Sequence, residues 1–208
     1  MSIVKLNNRG VRSVTSFGSL TSGSMVFIKK LTASSSSTLS FVDGSSDVVL
    51  DNTYKKYLFT FKNMHPATGG SEFLVNFSTD SGSNYNVTKT TTSFRTFHQE
   101  SGGGGNISYD TGRDLAQSTS DFELGHDVTD DDDGSISGYL HLFNPSSTTF
   151  VKHFIACTNT HQEDGSNRAS IENFKAGYCN TTSAVDGVIF KFSSGNVDAG
   201  DICLYGIN

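Results

Sequence analysis

The sequence contains no tryptophan, only two prolines and only three cysteines among its 208 residues. No segment approaches the roughly 18 consecutive apolar residues of a membrane-spanning helix, so no membrane partner is expected. The opening MSIVKLNNRG has no apolar run of secretion-signal length, and an unexported chain is expected. Cys157, Cys179 and Cys203 are odd in number and lack metal-type spacing, so they read as reduced, partly buried small hydrophobes. The glycosylation-type triplets at Asn76, Asn86, Asn106 and Asn180 carry no meaning in such a chain. Strong helix formers such as Ala and Glu are also scarce, which argues against a helical fold.

What is present favours strands. Sixteen Phe and seven Tyr supply bulk for a core, and 21 Gly with abundant Ser, Thr and Asn supply turns. About nine five- to twelve-residue runs read as strands, among them KYLFTFKNM, EFLVNFSTD, GYLHLFN, TTFVKHFIACT and GVIFKFSS. Turn chemistry such as DGSSD, HPATGG and DSGSN separates them. Two hairpins are expected, one around NPSS (Asn144–Ser147) and one joining GVIFKF to DICLYGI. In the second, Val188, Phe190 and Phe192 share a face opposite Ile189 and Lys191. The one helix candidate is a turn or two at Asp114–Ala116, and no fixed-period repeat occurs. The expected fold class is all-β: an antiparallel β-sandwich, jelly-roll-like, with an extended N-terminal arm.

Charge sets that arm apart. Residues 1–42 hold five basic side chains (Lys5, Arg9, Arg12, Lys29, Lys30) and no acid, a balance of +5; the remaining 166 hold 10 basic and 21 acidic, a balance of −11. The expected organisation is an attachment arm over 1–30 and a body over 31–208. Ile3, Leu6 and Phe17 are the arm's apolar anchors and Lys5, Arg9 and Arg12 its contacts to an acidic acceptor. Five dispersed charges without interleaved aromatics exclude a phosphate-tracking footprint, so no nucleic acid is expected.

The acidic stretch DVTDDDDGSISGYL tests as a calcium loop and fails as an EF-hand. With Gly134 at the sixth position, Thr129 and Leu140 fall where the first and twelfth ligands belong, and the flanks alternate like strands. It reads as an acidic loop tip, with Asp131 and Asp133 left as candidate ligands for a weakly bound calcium; no other cofactor is expected.

For catalysis the sequence offers no nucleophile elbow, P-loop, dinucleotide fingerprint or H-E-x-x-H helix, and ESGGGGN is a flexible loop. His141 and His153 lie on the two arms of the NPSS hairpin, where a shared face would depend on register; with Asp127 such a pair would have metal-binding chemistry. His98, His126 and His161 sit near turns. No catalytic residues and no enzyme are expected. For a host glycan or receptor protein, Tyr85, Tyr109 and Tyr139 are the candidate stacking residues.

The segments KLNNRGVRSVTSFGSL, KNMHPAT, TGRDLAQSTS, FNPSSTTFVKHF and SGNVDAGDICLYGI, spread over almost the whole chain, resemble a group of small structural, tail-fibre-like virion proteins of marine tailed bacteriophages. The resemblance implies a virion surface component made and assembled in the host cytoplasm, where signal peptides and disulfides are not expected. It also implies partners among other tail or capsid proteins and a symmetric homo-oligomer, commonly a trimer. A tail-fibre or receptor-binding appendage is the first expectation, a capsid decoration protein the alternative, and a glycan-binding or glycan-degrading module the third.

Overall fold

The computed structural model describes residues 24–164 and 167–208. The attachment-arm residues Ile3, Lys5, Leu6, Arg9, Arg12 and Phe17 lie outside them.

The described residues form twelve antiparallel strands and no helix. In chain order they are β1 (Met25–Thr32), β2 (Leu39–Val42), β3 (Lys56–Pro66), β4 (Ser71–Ser78), β5 (Lys89–Gln99), β6 (Gly105–Tyr109), β7 (Phe122–Val128), β8 (Ile136–Phe143), β9 (Lys152–Asp164), β10 (Asn167–Cys179), β11 (Gly187–Phe192) and β12 (Val197–Ile207). They join one sheet in the order β1-β12-β3-β8-β9-β7-β4-β11-β2, with β10, β5 and β6 branching from β9. The strands at the two ends of that order, β1 and β2, are consecutive in the chain. The link between them stays on the sheet through backbone bonds from Ala33 to Gly200 and between Ser36 and Val197. The sheet therefore curls until it is nearly a closed barrel, which leaves few edge groups unpaired.

Alternation decides which side chains fill it. In β3, Tyr57, Phe59 and Phe61 point inward and are buried; in β11, Val188, Phe190 and Phe192 do so as their spacing predicts. Phe190 sits centrally, with ring centroids 5.4 Å from Phe59, 5.1 Å from Phe61 and 6.0 Å from Phe73. Phe is the filler of a Trp-free core.

The NPSS hairpin forms: β8 pairs with β9, and Ser147 donates to the Asn144 carbonyl at 3.1 Å. Gly138 in β8 lies beneath β9 at φ +157, where an added Cβ would collide with the Cys157 carbonyl. The second expected hairpin does not form. β11 pairs with β4 and β2, while β12 pairs with β3 and β1, so the SSGN turn carries the chain from one part of the curl to another. The helix at Asp114–Ala116 is also absent. Thr91 donates to the Leu115 carbonyl at 2.8 Å, and the Leu115 and Gln117 amides donate to the Thr91 and Thr90 hydroxyls, so β5 takes the groups a helix would have used. Residues 25–30, read as part of the arm, belong to β1 and pair with β12.

Candidate functional site

Two features have the composition of a site: a polar network with the cleft above it, and the outward face of the sheet.

The network joins inward positions of β5 and β10 to β7, where His126 is fully buried and Glu123 lies between the buried Phe122 and Leu124 on the cleft side. Glu123 on β7 accepts from Arg113 Nη1 at 2.6 Å on Oε2, while Oε1 faces His126 Nδ1 at 3.2 Å and Lys175 Nζ at 3.6 Å. Lys175 donates to Ser93 Oγ at 2.6 Å. On the far side of the imidazole, Arg95 Nη1 meets Nε2 of fully buried His126, and Arg95 Nε pairs with Asp110 at 3.3 Å. A guanidinium only donates, so Nε2 is the acceptor and the ring hydrogen sits on Nδ1, aimed at Glu123. Burial pushes the Glu123 carboxyl up. The His126 hydrogen bond and the charges of Lys175 and Arg113 together outweigh burial and hold it below its ordinary value. Held ionised among cations, Glu123 is a structural anion rather than a proton donor at neutral pH.

Beside this network opens a cleft of about 600 Å³. Five carboxylates line it, and each has a partner: Glu72 with Ser193, Asp110 with Arg95, Asp114 with Tyr109, Asp121 with Lys191, and Glu123 as above.

Other lysines are buried with their strands. Lys89 at the start of β5 donates to Asn76 Oδ1 at 2.7 Å and to the Val87 carbonyl at 3.0 Å. Burial pushes its ammonium down to about 8, with the negative charge of Asp121 offsetting only part. Between that value and the ordinary 10.5, the unfolded chain holds a proton that the folded one has released, so stability rises with pH. The Cys179 thiol, pushed up to about 12 by burial, acts oppositely above its ordinary 9.0. The clean window is therefore pH 8 to 9. There the urea midpoint of the native chain is expected to rise, and in Lys89→Met the rise should be smaller by about 1 kcal/mol. An equal rise in both chains would show that Lys89 is not the titrating group.

Among the described residues, all but one of the exposed large hydrophobics lie on the outward face. Strands β6, β5, β10, β9, β8, β3, β12 and β1 lie side by side. Across them, Tyr109 stands opposite Phe94, Phe94 opposite Phe174, Phe174 opposite Cys157, and Cys157 opposite Tyr139. The Phe94 and Phe174 rings stack at 4.7 Å. A parallel row runs Phe27, Tyr205, Leu58, His141, Ile155. Phe27 is 57% exposed, Ile155 50% and Phe94 40%. The exception among the described residues is Phe150, on the β8–β9 loop.

The candidate residues fall into place against these features. Tyr109 and Tyr139 belong to one aromatic row, and the Tyr109 hydroxyl donates to Asp114 at 2.6 Å. Tyr85 stands apart, half-buried, its hydroxyl above Gly82 and its ring beside Gly187. His141 lies opposite Ile155 and His153 opposite Tyr178, so the two are not a cross-strand pair. His141 instead sits between Tyr139 and Phe143, its ring tilted against theirs with centroids 5.3 and 6.2 Å away. Asp131 pairs with Arg168 and its amide bonds Thr129 Oγ1, while Asp133 is exposed. Arg168 thus relieves from within the chain the carboxylate repulsion that argued for calcium. Among the described residues no group of three or more His, Cys, Asp or Glu is arranged to hold a metal. The buried ion network escaped sequence reading. Its one signal was charge at strand positions that alternation turns inward, Lys175 above all.

These features define an all-β protein with a buried ion network and a broad aromatic sheet face. No family model, no curated protein and no solved structure matches the chain.

Proposed function

We propose that this chain is a non-enzymatic structural protein on the exterior of a tailed-phage virion, assembled in the host cytoplasm. Residues 1 to about 30 attach it, and it acts as a tail-fibre or receptor-binding appendage. The curled sheet is, on this reading, a flattened jelly-roll-like sandwich, with β7, β4, β11 and β2 as the layer opposite the aromatic face.

The observation that carries the reading is the division of labour on the sheet. Chemistry-bearing side chains are spent on one another inside the fold, whereas exposed apolar area is concentrated on one face. An interaction module needs that distribution, and apolar patches gathered on one surface are a mark of association. The chain enters the fold at the edge of this face, through Ser24 and β1, which puts a preceding segment in position to tether the module. A second reading, a capsid decoration protein, is favoured by the breadth of the same face, which suits a base laid across neighbouring shell subunits.

Copy number in purified virions tests both. A small multiple of the tail's symmetry is the expected result. A number comparable with the major shell protein would transfer the assignment to decoration, and absence from virions would end the structural reading.

A further inference from the structure

We propose that the outward face of the eight adjacent strands, from β1 to β6, is the interface on which a second copy of this chain seats. The proposal stands apart from the virion assignment, because purified chain alone tests it.

Area is the first argument. Eight strands spaced about 4.8 Å apart span about 34 Å, and three or four outward residues per strand cover about 20 Å, giving about 700 Å² per copy. A stable protein–protein interface buries about 800 Å² on each partner. The face therefore supplies about what one dimer contact requires, without further surface.

Charge is the second. The chain as a whole carries −6, yet its outward face holds almost no unbalanced charge where the aromatics lie. Asp201 is held between Lys30 at 3.4 Å and Lys62 at 3.3 Å near one edge, and Lys56 lies over the Phe143 ring at 5.6 Å. Neither aromatic row holds a carboxylate, lysine or arginine; Glu172 lies in the adjacent row, opposite Thr96 and Asn159. Lys30, Lys62 and Lys56 against Asp201 leave the β1–β3 side of the face positive, and Glu172 leaves the β10 side negative. A copy of the same face meets it without like-charge repulsion, which self-association of an acidic chain requires.

Shape is the third. Between β5, β9 and β10 the face sinks into a hollow of about 400 Å³ lined by Thr90, Thr92, His153, Ile155, Ala176 and Tyr178. Across the sheet, Phe27 and Met25 on β1 protrude, 57% and 53% exposed. A face with both knob and hollow complements its own copy in a closed arrangement.

Sedimentation equilibrium of the full chain, with Ile155→Glu and Phe94→Glu, tests this. The native chain is expected at no less than twice its monomer mass. Each substitution places a carboxylate in the contact and should weaken association about 100-fold or more. Both side chains are substantially exposed, so the folds should survive, which the urea midpoints verify. Phe150→Glu, 70% exposed but off the face, should associate as the native chain does. An oligomer that both face variants leave intact would overturn the proposal by placing the contact elsewhere. A native monomer would overturn it too. If that monomer bound no apolar dye, the cover would be residues 1–23 of the same chain; if it bound dye, the face would belong to a different protein.

Discussion

Replacing Glu123 with alanine is expected to destabilise the fold by about 3 to 5 kcal/mol, the cost of leaving buried charge uncompensated. Three cationic or donor groups converge on this one carboxylate: Arg113 at 2.6 Å, His126 at 3.2 Å and Lys175 at 3.6 Å. Lys175 is buried to 1% and has Ser93 Oγ as its remaining close partner. Without Glu123, its ammonium faces the Phe122 ring, 6.0 Å away, with the charge of Asp110 as its remaining electrostatic support. Desolvation then drives it to release its proton or to unfold its strand. Glu123→Gln keeps the hydrogen-bonding shape and loses only charge, so a smaller effect is expected. The double variant Glu123→Leu with Lys175→Met removes anion and nearest cation together and should recover part of the loss, since a buried pair replaced by apolar groups is close to neutral. Urea unfolding of the four chains reads all of this. A double variant no more stable than Glu123→Ala would mean that the two residues do not act as a unit.

Phe190→Ala should cost about 4 kcal/mol, the usual range for removing a buried ring from a packed core. The ring is fully buried and lies within 6.3 Å, centroid to centroid, of Phe41, Phe59, Phe61 and Phe73. These belong to β2, β3 and β4, so the cavity would open where the curl of the sheet meets itself. Close packing on all sides leaves no single neighbour free to collapse into the space. Phe150→Ala removes the same ring from a site 70% exposed and is expected to stay within about 0.5 kcal/mol of the native chain. Thermal or urea unfolding gives both values. A Phe190→Ala loss under about 1 kcal/mol would show that the core can repack.

Strand content was legible because alternation is a local signal. Tyr57, Phe59 and Phe61 against Leu58 and Thr60, or Phe190 and Phe192 against Ile189 and Lys191, declare an inside and an outside without knowledge of any partner. The NPSS hairpin was legible for the same reason, since its turn chemistry and both strands fall within one stretch of chain. Pairing between distant segments was not. The sequence after Phe192 reads as a hairpin return, yet Val197 pairs with Ser36 and Pro66, and no local feature of SSGN encodes either partner. β6 and β7 were hidden for another reason: GNISY follows a glycine run, and FELGHDV carries three ionisable groups in seven residues. Those groups suggest a loop until Arg113, Arg95 and Lys175 are seen to answer them. The aromatic row needed four strand registers at once. Tyr109 and Tyr139 could be nominated singly, but their alignment with Phe94 and Phe174 exists only in the assembled sheet.

The pairing of β1 with β12 sets a timetable. Met25 lies opposite Ile207 and Thr32 opposite Asp201, so an early strand finds its partner only after residues 197–207 have left the ribosome. Pairings of such long sequence separation are the slow ones, and surface that waits for them is open to wrong contacts meanwhile. Phe27 and Met25, which stand on the proposed interface, acquire their place only at this last step. If the proposed interface holds, premature assembly of half-made chains is disfavoured by connectivity alone: the surface on which a second copy would seat is complete only after β12 has paired with β1.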